Sequence, residues 1–295
     1  MQLRHLKTFV AVATTLNFTR AAEQVHLAQS SVTEQVQALE ADLDVVLFDR
    51  SRRGLQLTSA GQRLLERADE LLRLADETRA SVKNVAGSVS GKLTIGGLET
   101  LCAKRLPGLL ADFGMRYPDV ELVLRTASSG QLKADVKRGA LDVCFVFGDG
   151  PLPPELASEQ VAEERVAVIV PAGHRLADQA TVDYAELADE SFLVTESGCV
   201  YRAMFETFAA TLARRPRIVG EVASIAAILE LVGAGMGCAL VPRLVVPAAS
   251  GKITALPSMV PDVVTPLTMA WRRQRVQSPA LRTFIAAARD AWVTA

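Results

Sequence analysis

No uninterrupted hydrophobic run in this chain approaches the ~20 residues that a helical membrane span needs, and Arg4, His5 and Lys7 at the N-terminus are not followed by the apolar core of a signal peptide. The expectation is a cytoplasmic protein with no membrane partner. Cysteine is sparse: the four residues at 102, 144, 199 and 238 show neither CxxC spacing nor a paired framework, which argues against a structural zinc site or a secreted disulfide scaffold. Reduced thiols are expected. Histidine is sparser, with only His174 in the C-terminal half and no second histidine near it in sequence, so it reads as a loop or capping residue rather than a metal ligand. There is no P-loop and no GxSxG elbow. The glycines from Gly233 to Gly237 follow a helical pattern and precede a strand, the reverse of a dinucleotide loop. No cofactor or metal is implied. The formal charge is −1, and between Met1 and Ala60 the basic residues equal the acids, so any nucleic-acid binding must rest on local placement and multivalency.

What is present is patterned. A chain of 295 residues, 49% of them hydrophobic, can bury more than one core, so two or three domains are expected. Leu3, Leu6, Phe9, Val10 and Ala13 repeat at helical spacing and predict a scaffold helix. Ala21, Ala22 and Val25 repeat in the same way, as do Val32, Val36 and Leu39, and His26-Leu27-Ala28 leaves room only for a turn between them. That is the layout of a helix-turn-helix, whose first helix braces the second in a DNA major groove. Gln29, Ser30, Ser31, Thr33, Glu34 and Gln35 crowd the start of the second helix and supply the donors and acceptors that base edges require. Val46 to Phe48 and Leu55 to Leu57 read as two strands of a wing, with Arg50, Arg52 and Arg53 between them placed to grip phosphates. With Arg20 these residues form the candidate DNA-contacting set. The competing reading is an ordinary small helical domain with a solvated basic turn.

Thr58 is a plausible N-cap for a long helix in which Gly61, Leu64, Ala68, Leu71, Ala75, Thr78, Val82 and Val85 alternate at spacings of three and four, a heptad seam. At 1.5 Å per residue this helix would be roughly 40 Å long and unstable without a partner. The same helix of a second subunit is the expected partner, meeting it through Leu64, Ala68, Leu71, Ala75, Thr78 and Val82; the alternative is an amphipathic helix lying on the C-terminal domain. Gly87 to Gly91 reads as a linker. Beyond Lys92 strands and helices alternate: strands at Leu93–Ile95, Val120–Leu124, Val143–Phe147, Val166–Val170, Phe192–Val194, Ile218–Val219, Cys238–Val241 and Leu267–Trp271, with helices at Leu101–Tyr117, Leu132–Lys137, Val200–Leu212, Ile225–Val232 and Pro279–Trp292. Parallel βαβ units follow from that alternation.

The order of these pieces resembles the LysR-type transcriptional regulator family over essentially the whole chain. The resemblance is carried by Phe9 and Val10, Phe18-Thr19-Arg20-Ala21-Ala22, Gln29, Thr33, Gln35-Val36, Leu39-Glu40, Leu47-Phe48-Asp49-Arg50 and Leu57-Thr58-Ser59-Ala60-Gly61. Asp44 stands where the family usually has glycine, and Glu34 where a basic residue is common. Because Asp tolerates a left-handed cap less well than glycine, the turn at Asp44 is expected to differ slightly. The resemblance implies an N-terminal winged helix-turn-helix (1–58), a linker and dimerisation helix with a hinge (59–90), and an α/β effector domain (91–295). The last comprises two Rossmann-like subdomains like those of type 2 periplasmic binding proteins, about 91–161 with 267–295 and about 162–266, joined by two crossing strands.

Ligands of open α/β sheets bind beyond the C-terminal ends of strands. The loops there carry Glu99, Thr100, Ser128, Ser129, Phe147, Thr195, Ser197, Cys199, Arg202 and Ser224, a set suited to a small polar effector, although hydroxyls in such places also serve as N-caps. Cys199 lies at the start of a predicted helix one turn from Arg202, an electropositive setting suited to a reactive thiol. Cys102 occupies the matching place in the first subdomain, so the two could face one another. Cys144 and Cys238, inside apolar strands, read as inert core. The leading reading is a homo-oligomeric regulator of double-stranded DNA, dimeric through the linker helix and assembling further to a tetramer, that answers to a small-molecule effector. The alternatives are a thiol-based redox sensor acting through Cys199, an α/β enzyme with a thiol nucleophile, and a solute-binding protein, the last disfavoured by the DNA-binding segment.

Overall fold

The computed structural model describes residues 1–49, 54–83, 89–148, 150, 152–179, 181–247, 251–256, 259–260, 264–273 and 277–293. Arg50, Arg52, Arg53, Val85, and Gly87 and Ser88 of the linker lie outside the described residues. Two compact units are built on residues 1–91 with 138–140 and on residues 92–137 with 141–295. No helix among the described residues is long and apolar enough to cross a membrane.

In the first unit α1 (Leu3–Thr15), α2 (Phe18–Gln24) and α3 (Gln29–Leu43) pack around Leu6, Phe9, Val12, Ala21, Val32, Val36 and Leu39, all fully buried. Asn17 caps α2 by accepting from the Arg20 amide at 3.0 Å. The turn before α3 passes through His26 at φ 54°, and α3 ends on Asp44 at φ 52°. The left-handed cap that glycine favours is therefore kept in spite of a Cβ. Phe48 locks the wing to the helices, its ring centroid 5.5 Å from Phe9 and 5.9 Å from Phe18. The wing strands β1 (Phe48–Asp49) and β2 (Gln56–Leu57) are shorter than the apolar runs predict. Glu40 of α3 explains this: its Oε1 accepts from the amides of Leu47 at 2.7 Å and Phe48 at 3.3 Å, so backbone that would enter a ladder is held by the helix, and Val46 is left exposed.

Thr58 caps α4 (Ser59–Lys83) as expected, accepting from the Gly61 amide at 3.0 Å while its hydroxyl donates to the Val46 carbonyl at 2.7 Å. Gly61 is required there, because a Cβ would overlap the Leu47 carbonyl. The heptad seam is corrected in part. Ala68 has 0% exposure inside the first unit's own core, and Leu64, Leu65 and Leu72 pack on that core as well. Heptad spacing is satisfied here by an intramolecular partner, so Ala68 is closed to a second subunit. Among the described side chains of α4, the large apolar residues left exposed are Leu71 and Leu74, with Thr78 also exposed; Ala75 is half-buried and the Val82 side chain lies outside the described residues.

The second unit continues with β3 (Gly91–Gly97), α5 (Glu99–Lys104), α6 (Leu106–Arg116), β4 (Val120–Thr126), α7 (Ser129–Arg138), β5 (Val143–Phe147), β6 (Leu156–Pro171), β7 (Val182–Asp183), α8 (Tyr184–Leu187), β8 (Ser191–Val194), α9 (Val200–Ala210), β9 (Arg217–Glu221), α10 (Ile225–Gly233), β10 (Cys238–Pro242), a 3-10 turn (Arg243–Val245), β11 (Ile253–Ala255), β12 (Met259–Val260), β13 (Val264–Arg272) and α11 (Pro279–Val293). The single helix expected from Leu101 to Tyr117 is two, broken at Arg105, because Pro107 has no amide to continue the i to i−4 ladder and sits in the first turn of α6 instead.

The strands run β4-β3-β5-β13-β6-β10-β8-β9, with β11 also on β6. The βαβ pairs β3–β5, β8–β9 and β8–β10 are parallel, as the alternation predicts. The sheet is nonetheless mixed, because β6 and β13 run antiparallel to their neighbours. Strand β6 is the crossing element: Leu156 to Arg165 pair with β13, and from Val166 onward it pairs with β10. Strand β13 returns beside it, so the unit has two α/β halves joined by two strands. Each half is filled by aromatics. Phe284 of α11 stands 5.1 Å from Phe113 and 6.2 Å from Phe145 in the first half, and Phe192, Phe205 and Phe208 cluster at 5.3–6.4 Å in the second.

Candidate functional site

The N-terminal turn of α3 is open where a reader must be open. Gln29, Ser30 and Glu34 are exposed and Ser31 and Thr33 half-buried, while Val32, Val36 and Leu39 on the opposite side have no exposure. Ala28 at the N-cap has no side-chain acceptor, which leaves the first amides of α3 to water or an anion. Arg20 is exposed on α2. Thr33 donates back to the Gln29 carbonyl at 3.0 Å. Gln35 departs from expectation: its Oε1 accepts from the Thr8 hydroxyl of α1 at 2.7 Å, so it braces the reading helix on its scaffold rather than turning wholly outward.

In the second unit a cavity of about 610 Å³ opens between the two halves. Leu98, Glu99, Thr100, Thr126, Ala127 and Ser128 line it from the first half. Thr195 to Cys199, Tyr201, Ala223 and Ile225 line it from the second. Six of the ten sequence candidates are thus brought together: Glu99, Thr100, Ser128, Thr195, Ser197 and Cys199. The other four stand aside. Ser129 begins α7 with its Oγ buried and unpartnered among the described residues. Phe147 is buried, 6.1 Å from the Tyr201 ring. Arg202 is taken up by Glu206 at 2.7 Å, Glu221 at 3.3 Å and the Thr195 carbonyl at 3.2 Å. Ser224 caps α10, accepting from the Ala227 amide at 3.4 Å.

Tyr201 was missed by the sequence reading, though its place one residue inside a helix that starts at the strand-end loop is the signal that would have found it. Its hydroxyl and that of Thr100 hydrogen-bond directly from opposite halves, and both residues are buried. Burial is the main influence on the Tyr201 phenol and pushes its pKa well above the ordinary range. Thr195 is 3% exposed, and its Oγ1 has no partner among the described residues although the residue lines the cavity. An unpaired buried hydroxyl is costly, and a ligand at this place would relieve it.

The expected confrontation of two cysteines is not formed. Cys199 lines the cavity, but Cys102 is turned onto β3, with its sulfur 3.8 Å from the Arg125 carbonyl and so close to Gly97 that a Cβ there would stand 2.9 Å from it. Burial pushes the Cys102 thiol up to about 11, and those of Cys144 and Cys238 to about 12, in keeping with inert core thiols. His174, Glu190 and Cys238 bring their donor atoms within 4.8 Å of one another. The Leu176 amide, however, donates to His174 Nδ1 at 3.3 Å, which makes Nε2 the protonated nitrogen and a donor to Glu190 at 3.3 Å. The ring is a turn cap, as its sequence setting suggested.

Two family models match the chain: the bacterial regulatory helix-turn-helix protein of the lysR family over residues 3–62, and the LysR substrate binding domain over residues 86–293. Among curated proteins it is 31% identical over 288 residues to the uncharacterized HTH-type transcriptional regulator YwqM of Bacillus subtilis, covering 97% of each. It is 33% identical over 291 residues to the Hca operon transcriptional activator HcaR of Escherichia coli, covering 97% of this chain and 96% of the relative. Among solved structures, full-length OxyR C199D of Pseudomonas aeruginosa superposes with a TM-score of 0.75 at 25% identity, covering 99% of this chain and 94% of that one. Full-length CbnR complexed with its target DNA gives 0.72 at 28% identity, covering 99% and 100%.

Proposed function

The chain belongs to the LysR family of DNA-binding transcriptional regulators, and we propose that it is a cytoplasmic, non-enzymatic homo-oligomer that reads DNA through the start of α3 and answers to a small molecule held between the two halves of its second unit. In this reading Gln29, Ser30, Ser31, Thr33 and Glu34 meet base edges, and Arg20 with the wing arginines Arg50, Arg52 and Arg53 holds phosphates. A single such domain binds weakly, so pairing through the exposed Leu71 and Leu74 face of α4 supplies the avidity. The observation that carries the effector reading is the cavity itself, with the unpartnered Thr195 hydroxyl on its wall. Cys199 is the sole thiol among its lining residues, so an oxidised Cys199 has no resolving thiol beside it, which favours ligand binding over thiol sensing.

The test is a thermal-shift screen of small metabolites on the full chain, in which a ligand at 100 times its dissociation constant adds about 2.7 kcal/mol. Hits are repeated on Thr195→Val and Ser128→Ala and then assayed for operator affinity. A ligand whose stabilisation and effect on DNA binding both disappear in these variants supports the cleft. Stabilisation that survives both substitutions assigns the ligand to some other place.

A further inference from the structure

The cleft is acidic on both lips. Glu99, the first residue of α5, and Glu196, in the loop after β8, line it from opposite halves. Both are exposed, and neither carboxylate has an ion-pair or hydrogen-bond partner among the described residues. No lysine, arginine or histidine stands among the lining residues. Of the basic side chains near the lining segments in sequence, Arg202 is held by Glu206 and Glu221, and the Arg105 guanidinium lies 5.8 Å from the Trp292 ring centroid with its Nε unpartnered among the described residues; Arg125, next to Thr126, is exposed but is not among the lining residues. The Tyr201 phenol, buried between the lips, feels both burial and the negative charge of Glu99 and Glu164, all acting in the same upward direction.

Resting on the reading of the cleft as the effector site, we propose that the effector is a small molecule bearing a cationic amine, held between Glu99 and Glu196 with its polar remainder on the hydroxyls of Thr100, Ser128 and Thr195. A net anion entering this cleft would give up hydration beside two carboxylates and find no side-chain cation among the lining residues in exchange. The helices α7, α9 and α10 begin near the cleft, and their N-terminal dipoles favour a negative group there. A zwitterion can use both features, with its carboxylate on the hydroxyls and its ammonium at the glutamates; a dicarboxylate cannot. The charge arrangement also couples binding to closure. The two glutamates belong to different halves, so their repulsion grows as the lips approach, and a cation between them removes it. A cationic ligand therefore prefers the closed cleft, and that differential affinity is what shifts a population.

The test uses the full chain at fixed ionic strength and three four-carbon probes of matched length: 1,4-diaminobutane, 4-aminobutanoate and butanedioate. The expected result is thermal stabilisation and a calorimetric binding signal for the two amines at about 20 mM and none for the dicarboxylate. Glu99→Gln and Glu196→Gln, both at exposed positions, should each weaken amine binding roughly three- to tenfold. Silence from both amines overturns the proposal, as does amine binding unchanged in the double glutamine variant. Butanedioate binding that is lost in Thr195→Val overturns the cationic assignment and leaves the cleft reading standing. Binding of any probe that ignores Thr195→Val and both glutamine substitutions overturns the cleft reading instead.

Discussion

Tyr201→Phe isolates the bond that joins the two halves at the cleft. Thr100 and Tyr201 are 6% and 7% exposed, each in the first turn of its helix, and their hydroxyls pair with one another. Removing the phenol oxygen leaves the Thr100 hydroxyl buried without its partner, which costs about 1–3 kcal/mol, the desolvation penalty of an unsatisfied buried group. For a unit of this size 1 kcal/mol moves the midpoint by about 2–4 °C, so the single substitution should lower the unfolding temperature of the second unit by roughly 2–12 °C. Thr100→Val does the converse and strands the phenol. The double variant removes both polar atoms while keeping shape, so its loss should be clearly smaller than the sum, a coupling of about 1–2 kcal/mol. The effect has a pH signature. Because the folded phenol holds its proton more tightly than an unfolded one, its contribution is whole below the ordinary tyrosine pKa and is lost as pH rises through the folded value. The gap between wild type and Tyr201→Phe should therefore narrow above pH ~10. Calorimetry of the full chain, with hydrogen exchange followed at the amides of α5 and α9, reads both. Single losses that simply add in the double variant would refute the reasoning, since the two hydroxyls would then not depend on each other.

Gln29→Ala should relax base preference at one operator position by about 1–3 kcal/mol with the salt slope unchanged, whereas Arg52→Ala should weaken all sequences alike and flatten that slope; binding titrations over a range of salt decide between them. Leu74→Asp, at a position 55% exposed on α4, should abolish dimerisation in sedimentation without unfolding the protomer, whereas Ala68→Asp, at 0% exposure, should unfold the first unit; an intact Leu74→Asp dimer would remove this face from the interface. Glu164 of β6 is 7% exposed, accepts from the Leu244 amide at 2.9 Å, and has its pKa raised chiefly by burial. A raised carboxylate contributes favourably below its unfolded pKa and loses that contribution as pH rises through its folded value, so Glu164→Gln, which keeps the acceptor, should gain on wild type in urea midpoint as pH rises above the ordinary glutamate pKa. A Glu164→Gln variant that falls further behind with rising pH would assign the dominant role to its attraction for Arg105.

The first unit was legible because its determinants are local. The stripe of Val32, Val36 and Leu39 and the cap at Thr58 each depend on residues a few positions apart, and both stand where spacing put them. What failed to read out depended on partners far away in sequence. Heptad spacing showed that Leu64, Ala68 and Leu71 share a side of α4, but not that the unit's own core covers Ala68. Gln35 looked like a reader because Thr8, its partner, is 27 residues distant. The first ten residues of β6, Leu156 to Arg165, are mostly polar and contain no continuous hydrophobic run, so the apolar stretch from Val166 marked only the second part of the crossing strand. In the cleft the loop hydroxyls were found from strand ends, whereas Tyr201 lies just inside α9, and its role follows from facing Thr100 across 101 residues of sequence.

The construction of the second unit limits how its cleft can respond. Each half has its own aromatic core, with Phe113, Phe145, Phe284 and Trp292 packed together in one and Phe192, Phe205 and Phe208 in the other. The halves join along β6 and β13, whose pairing shifts register between Leu267 and Thr268. The Thr100–Tyr201 bond spans the same junction, but a hydrogen bond contributes a net ~0.5–1.5 kcal/mol. Moving a two-state population from 1:99 to 99:1 takes about 5.5 kcal/mol. The latch alone falls short of that by several-fold, so it sets how far the resting cleft stands toward closure and cannot hold it shut. The rest must come from a ligand that touches both walls at once, and the groups available for that are Thr195 with its unsatisfied hydroxyl and the unpaired glutamates on the two lips.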